Sequence, residues 1–195
     1  MKRALTLTAL TLLTAAAAQE GLYDPAPPAN SAFVRVLNTP TGTVAGKAVT
    51  AEKAAASAYV IVPQGDFEAK LGTTAGKLKV EAGNFYSVMV SGGKLVLLKD
   101  QAADNRAKAL LTVYNLTKAP LDLKTADGKT TVVKDVKPGE SGSRAVNGIT
   151  VDLAAFAGSK ALGTVKKVKL ERGNAYALVV TDSGMTLTQS TTKTK

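Results

Sequence analysis

The chain has 195 residues, with 25 Lys and Arg against 15 Asp and Glu, and neither histidine nor cysteine. A formal net charge of +10 favours anionic partners. The two missing residue types exclude disulfides, thiolate and imidazole metal sites, Ser-His-Asp and Cys-His catalysis, and histidine acid–base chemistry.

Residues 1–18 read as an export signal: Lys2 and Arg3 give the positive start, Ala4 to Thr14 the apolar stretch, and Ala16-Ala17-Ala18 an A-x-A cleavage site. The stretch is too short and too rich in threonine to span a membrane, which takes about 20 mostly apolar residues. The expected mature chain starts at Gln19, is soluble and unanchored, and carries a charge of +8 because Lys2 and Arg3 leave with the signal. Export without cysteine suits a bacterial periplasm or cell surface. There the candidate anions are an acidic polysaccharide, a membrane surface or an acidic protein face, with plain solubility as the alternative reading of the charge.

Residues 19–30 form a proline-rich arm in which Leu22 and Tyr23 precede Pro25, Pro27 and Pro28. Such a segment is stiff, extended and poor at pairing into a sheet. Its aromatic anchor either folds back over its own domain or is presented to a partner.

From Ser31 onward the period is that of strands. Val34 and Val36 flank Arg35, while Tyr86, Val88 and Val90 alternate with Ser87 and Met89. Turn signals recur at short intervals, and only Ala48 to Ala58 is tolerant of helix, though its lack of an apolar stripe leaves loop equally open. Two segment pairs repeat in order. "VRVLN" (34–38) returns as "LTVYN" (111–115), and "KVEAGNFYSVMV" (79–90) returns as "KLERGNAYALVV" (169–180). The spacings of 77 and 90 residues put 13 extra residues in the second copy, expected around "VKPGESGSRAVNG".

The fold expected is therefore all-β: two tandem immunoglobulin-like β-sandwich domains, at 31–101 and 102–188, preceded by the arm and followed by a disordered tail at 189–195. The polar seam Lys99 to Lys108 is short enough to make the two domains pack side by side. Tyr86 and Tyr176, each three residues after a turn glycine, are expected to return their hydroxyls to the backbone of the preceding turn. Gly83 and Gly173 are expected at positive φ.

Catalytic candidates are few. Ser91-Gly92-Gly93-Lys94 has S-x-x-K spacing but falls in an expected hairpin turn. Asp66, Glu68, Glu81, Asp152 and Glu171 are interleaved with lysines and read as solvated surface. "GTTAGK" (72–77) lacks the full phosphate-loop spacing and reads as a hairpin connection.

"GLYDPAPPANSAFVRVLN" (21–38) resembles the mature start of the alginate biosynthesis protein AlgF family, with Asp24 where that family's pattern has glycine. "ALLTVYNLTKAPLDLKTADGKT" (109–130) is similar to that family's second half. Each repeat taken alone is also similar to secreted immunoglobulin-like repeats of uncharacterised function. The first resemblance implies a non-catalytic periplasmic adaptor in exopolysaccharide O-acetylation, linking membrane acyl export to periplasmic acetyltransferases and using no cofactor. It implies partner contacts through Leu22, Tyr23, Pro25, Phe33 and Arg35. The alternative is an exported surface or carbohydrate-binding module that holds an acidic polysaccharide by its charge. For that role the absence of tryptophan leaves few stacking platforms.

Overall fold

The computed structural model describes residues 26–193; the signal segment and the arm as far as Pro25 lie outside them. The first repeat runs β1 (Ser31–Val36), β2 (Gly42–Val44), β3 (Lys47–Val49), β4 (Tyr59–Pro63), β5 (Gly65–Leu71), β6 (Thr74–Val80), β7 (Phe85–Ser91) and β8 (Lys94–Asp100). The second runs β9 (Ala109–Asn115), β10 (Leu121–Thr125), β11 (Thr131–Val136), β12 (Ser141–Val146), β13 (Ile149–Ala157), β14 (Lys160–Leu170), β15 (Ala175–Thr181) and β16 (Gly184–Gln189), and a short β17 (Thr192–Lys193) follows. The described residues contain no helix.

Local alternation decides which side chains go inward. In β5, Phe67, Ala69 and Leu71 are buried while Asp66, Glu68 and Lys70 point out. The duplication is visible in the topology. Sheet order β4-β1-β7-β8 is matched by β12-β9-β15-β16, and β3-β2-β5-β6 by β11-β10-β13-β14. Even the parallel pairing is repeated in register, with Val34 opposite Tyr86 and Leu111 opposite Tyr176. Each repeat is a sandwich of two sheets around its own apolar core, one built on Val34, Val36, Val62 and Leu71, the other on Leu111, Leu123, Leu153 and Leu178.

Both tyrosines do what their position dictates. The Glu81 N–H donates to the Tyr86 hydroxyl at 3.2 Å and the Glu171 N–H to the Tyr176 hydroxyl at 3.0 Å. The preceding glycines take φ of +73° and +79°.

Two expectations are corrected and one open reading is decided. The extra length of the second copy is not gathered around Val136 to Gly148. It is divided between two hairpins: β10–β11 spans 121–136 where β2–β3 spans 42–49, and β13–β14 spans 149–170 where β5–β6 spans 65–80, while the link from β11 to β12 is shorter than that from β3 to β4. Register shifts at Val151/Leu153 and Ala155/Phe156 absorb part of the excess while the core faces stay in phase. Of the two readings left open for the alanine-rich stretch, loop is the one found: Ala48 and Val49 lie in β3, and the rest is a loop bridged to Leu37 at Ala56. Its small side chains let Ala51, Ala54, Ala55 and Ala56 bury against the sandwich edge. The tail, too, is ordered through residue 193, because β17 crosses to the first repeat and pairs in parallel with β4 at Tyr59 and Val60.

Candidate functional site

Strand alternation that sends Val34 and Val36 into the first core must send Arg35 and Leu37 to the opposite face. In a lone sandwich that face would be wet. Here the matching face of the second repeat covers it, and Leu37, Ala56 and Met89 pack on Tyr114, Ala177 and Val179 to make a third, interdomain core. The four sheets are thus stacked, and β9 is buried along its whole length because it is covered on both sides.

Beside this apolar patch lies a buried polar cluster to which both repeats contribute. The Arg35 side chain is 2% exposed, and its guanidinium donates from Nε to Ser87 Oγ (2.9 Å), from Nη1 to Ser190 Oγ (2.8 Å) and from Nη2 to the Tyr114 hydroxyl (2.6 Å). Asp100 faces it at 3.6 Å and accepts from Tyr59 (2.7 Å), Ser87 (2.7 Å) and Tyr114 (2.5 Å). The guanidinium carbon also sits 4.4 Å from the centre of the Tyr59 ring. No buried side-chain nitrogen or oxygen among the described residues lacks a partner, so the cluster meets the condition that makes a buried ion pair tolerable.

The electrostatics follow. Burial opposes the Arg35 charge, but Tyr114, Tyr59 and Asp100 outweigh it and hold the group above its ordinary pKa. Burial lifts the Tyr59 and Tyr114 phenols well above their ordinary range, with Asp100 adding to the effect and Arg35 opposing it. Arginine stays charged and both phenols stay neutral at any physiological pH. The arrangement supplies a lock between the repeats.

Toward the start of β1 the same face emerges as an aromatic ledge. Phe33 and Phe85 stack with ring centres 4.6 Å apart, and Tyr59 meets Phe85 edge-on at 5.1 Å. Against the ledge lies a cleft of about 220 Å³ between the repeats, lined by Tyr59, Phe85, Ala103, Asn174, Ala175 and Ser190. Aromatic walls with an amide and a hydroxyl suit binding of a side chain or short segment.

Of the residues singled out from the sequence, Leu22, Tyr23 and Pro25 lie outside the described residues. Phe33 is half-buried on the ledge, and Arg35 is turned inward beneath it, away from solvent. Tyr59, Ser87, Asp100, Tyr114 and Ser190 went unnoticed in the sequence. One signal was available: Tyr114 occupies in the second repeat the place that Leu37 holds in the first, and Arg35 stands where the second has Thr112.

The other chemical candidates are explained by the fold. Gly92 and Gly93 take φ of +58° and +75° in the two-residue turn joining β7 to β8, so Ser91 and Lys94 are hairpin flanks. Gly72 and Thr73 turn β5 into β6. The five carboxylates are all exposed, and Asp66 and Glu68 stand opposite Lys79 and Lys77. That outer sheet therefore presents paired charges of both signs, unlike the single-sign face that would grip a polyanion. The described residues bring together no group of three acidic residues able to hold a metal ion.

The fold and this face define a class: a duplicated, all-β protein of two stacked sandwiches, joined by a buried ionic cluster and bearing a cleft of mixed polarity along the seam. The family model described as "Alginate O-acetyl transferase AlgF" matches residues 4–177, and the chain belongs to the AlgF family. It is 40% identical over 181 residues to the alginate biosynthesis protein AlgF of Pseudomonas fluorescens, covering 90% of this chain and 83% of the relative. To its namesake in Pseudomonas aeruginosa it is 40% identical over 177 residues (87% and 82% covered), and to that of Azotobacter vinelandii 34% over 172 (85% and 79%). A solved structure of the C-terminal domain of AlgF from Pseudomonas aeruginosa, 42% identical, aligns with 43% of this chain and 97% of that domain at a TM-score of 0.36.

Proposed function

We propose that this chain is a non-catalytic periplasmic adaptor in the O-acetylation of an alginate-like exopolysaccharide, linking membrane acyl export to the acetyltransferases that modify the polymer. One observation carries the reading: a chain matched nearly end to end by an O-acetylation family contains no histidine and no cysteine. The usual imidazole-assisted acyl-transfer machinery is thereby removed from this polypeptide. The rigid double sandwich suits a scaffold. Leu22, Tyr23 and Pro25 of the arm, with Phe33 on the ledge, form the contact through which it engages a partner. Arg35 serves that contact from beneath by fixing the strand that carries Phe33.

The test is the ester-linked acetate of exopolysaccharide from cells lacking the gene and from cells with it restored. Acetate falls with polymer yield preserved if the protein works in acetylation, and unchanged acetate refutes the reading. Alanine at Leu22 and Tyr23 should weaken capture of the acetylation proteins about tenfold or more while the melting temperature holds. Hydrolysis of a chromogenic acetyl ester by the pure protein, lost on changing one serine, would replace adaptor by enzyme.

A further inference from the structure

Sheet edges are invitations to pair, and proteins blunt them with charge, proline, bulges or brevity. Among the described residues nearly every edge strand is blunted. Lys94 and Lys99 flank β8, Lys77 and Lys79 sit on β6, Arg144 on β12, and β11 and β14 are both bulged and lysine-bearing, while β3 and β17 have three and two residues. The exception is β16, Gly184-Met185-Thr186-Leu187-Thr188-Gln189, which has neither a charge nor a proline.

The phase of its pairing shows what it leaves free. The Ser190 N–H bonds to the Ala175 carbonyl at 2.8 Å, so Thr188 and Thr186 exchange their bonds with β15 and the backbone groups of Leu187 and Gln189 point away from it. At the Met185 end, β14 closes over the edge, where a Cβ built on Gly163 would lie 2.8 Å from Met185 Cγ. Beyond that point the edge opens into a groove of about 670 Å³, walled by Ala51, Glu52, Ala55 and Ala58 of the alanine-rich loop and by Thr186 and Thr188. The groove is continuous with the interdomain core through Ala56, which packs there beside Leu37.

We propose that this groove takes an extended segment of a different polypeptide, added as a strand beside Leu187 and Gln189. The chain's own arm is unsuited: it joins at the opposite end of β1 and lacks N–H groups at Pro25, Pro27 and Pro28. The strand that follows β16, β17, is already committed to β4. A second copy paired edge to edge would bring both first sandwiches to the same face, where their 50–58 loops compete for one groove. The alanine wall admits bulky apolar side chains at alternate positions. Glu52, the one charge in the lining, favours a flanking lysine or arginine and repels an acidic segment.

The partner class rests on the adaptor reading, and the test separates the two. Hydrogen exchange at the Leu187 and Gln189 amides is followed in the full chain, alone and with each purified acetyltransferase of the same acetylation system. Binding of each is also measured for the Thr186→Lys, Thr188→Lys double variant. The expected result is protection of both amides by about tenfold or more on complex formation, and binding weakened by a similar factor in the variant at unchanged melting temperature. A complex that leaves these amides exchanging freely and binds the variant normally overturns the groove while the adaptor reading stands. No complex with any transferase overturns both. Protection that grows with concentration in the protein alone assigns the edge to a second copy and overturns the proposed occupant.

Discussion

Replacing Arg35 with alanine removes a guanidinium that donates three side-chain hydrogen bonds and faces a buried carboxylate, in a place that solvent barely reaches. Removing one partner of a buried ion pair costs about 3–5 kcal/mol, because the other charge is stranded. Asp100 keeps three hydroxyl donors in Tyr59, Ser87 and Tyr114, which places the expected loss near the lower end, at about 3 kcal/mol. A domain is held by roughly 5–15 kcal/mol, so both sandwiches should stay folded. The interface between them suffers most. Urea unfolding followed by far-ultraviolet circular dichroism should shift to lower denaturant and broaden into two transitions of reduced slope as each sandwich unfolds alone. In the Arg35→Met, Asp100→Leu double variant no charge is stranded, and its loss should be smaller than that of the two single variants together. A loss below about 1 kcal/mol for Arg35→Ala, or strict additivity in the double variant, would refute the view that this cluster locks the domains.

The raised phenols set a pH window: a folded-state pKa above the unfolded value of about 10 means that stability is full below pH 10 and is lost above it. Unfolding free energy measured from pH 8 upward should fall by about 1.4 kcal/mol per unit per buried tyrosine beyond pH 10, and Tyr59→Phe or Tyr114→Phe should flatten that slope. Tyr86→Phe and Tyr176→Phe each lose one hydrogen bond to the upstream turn, and each should cost about 0.5–1.5 kcal/mol in urea unfolding with no change in secondary structure. Ending the chain at Gln189 removes both β17 and the Ser190 acceptor of Arg35. A loss of about 1–3 kcal/mol, expressed mainly as earlier separation of the domains, should follow.

Much of this protein is written locally. Alternation in "VRV" and "FEAKL", the glycine turns, and the recurrence of "GNFY" as "GNAY" specify strands, hairpins and two copies of one unit, because each depends on neighbours a few residues apart. The missing histidine and cysteine bound the chemistry just as directly. The destination of Arg35 is different in kind. A charge between two valines reads as the wet face of a half-buried strand, and for an isolated sandwich that reading would be right. Stacking the second repeat on that face dries it, and brings to Arg35 a tyrosine 79 residues away and a serine 155 residues away. The same is true of the tail, whose polar sequence has no apolar period and pairs only because β4 offers it an open edge. Local sequence determines the strands and the face each side chain takes; what covers that face is a long-range contact, and only the tertiary structure decides it.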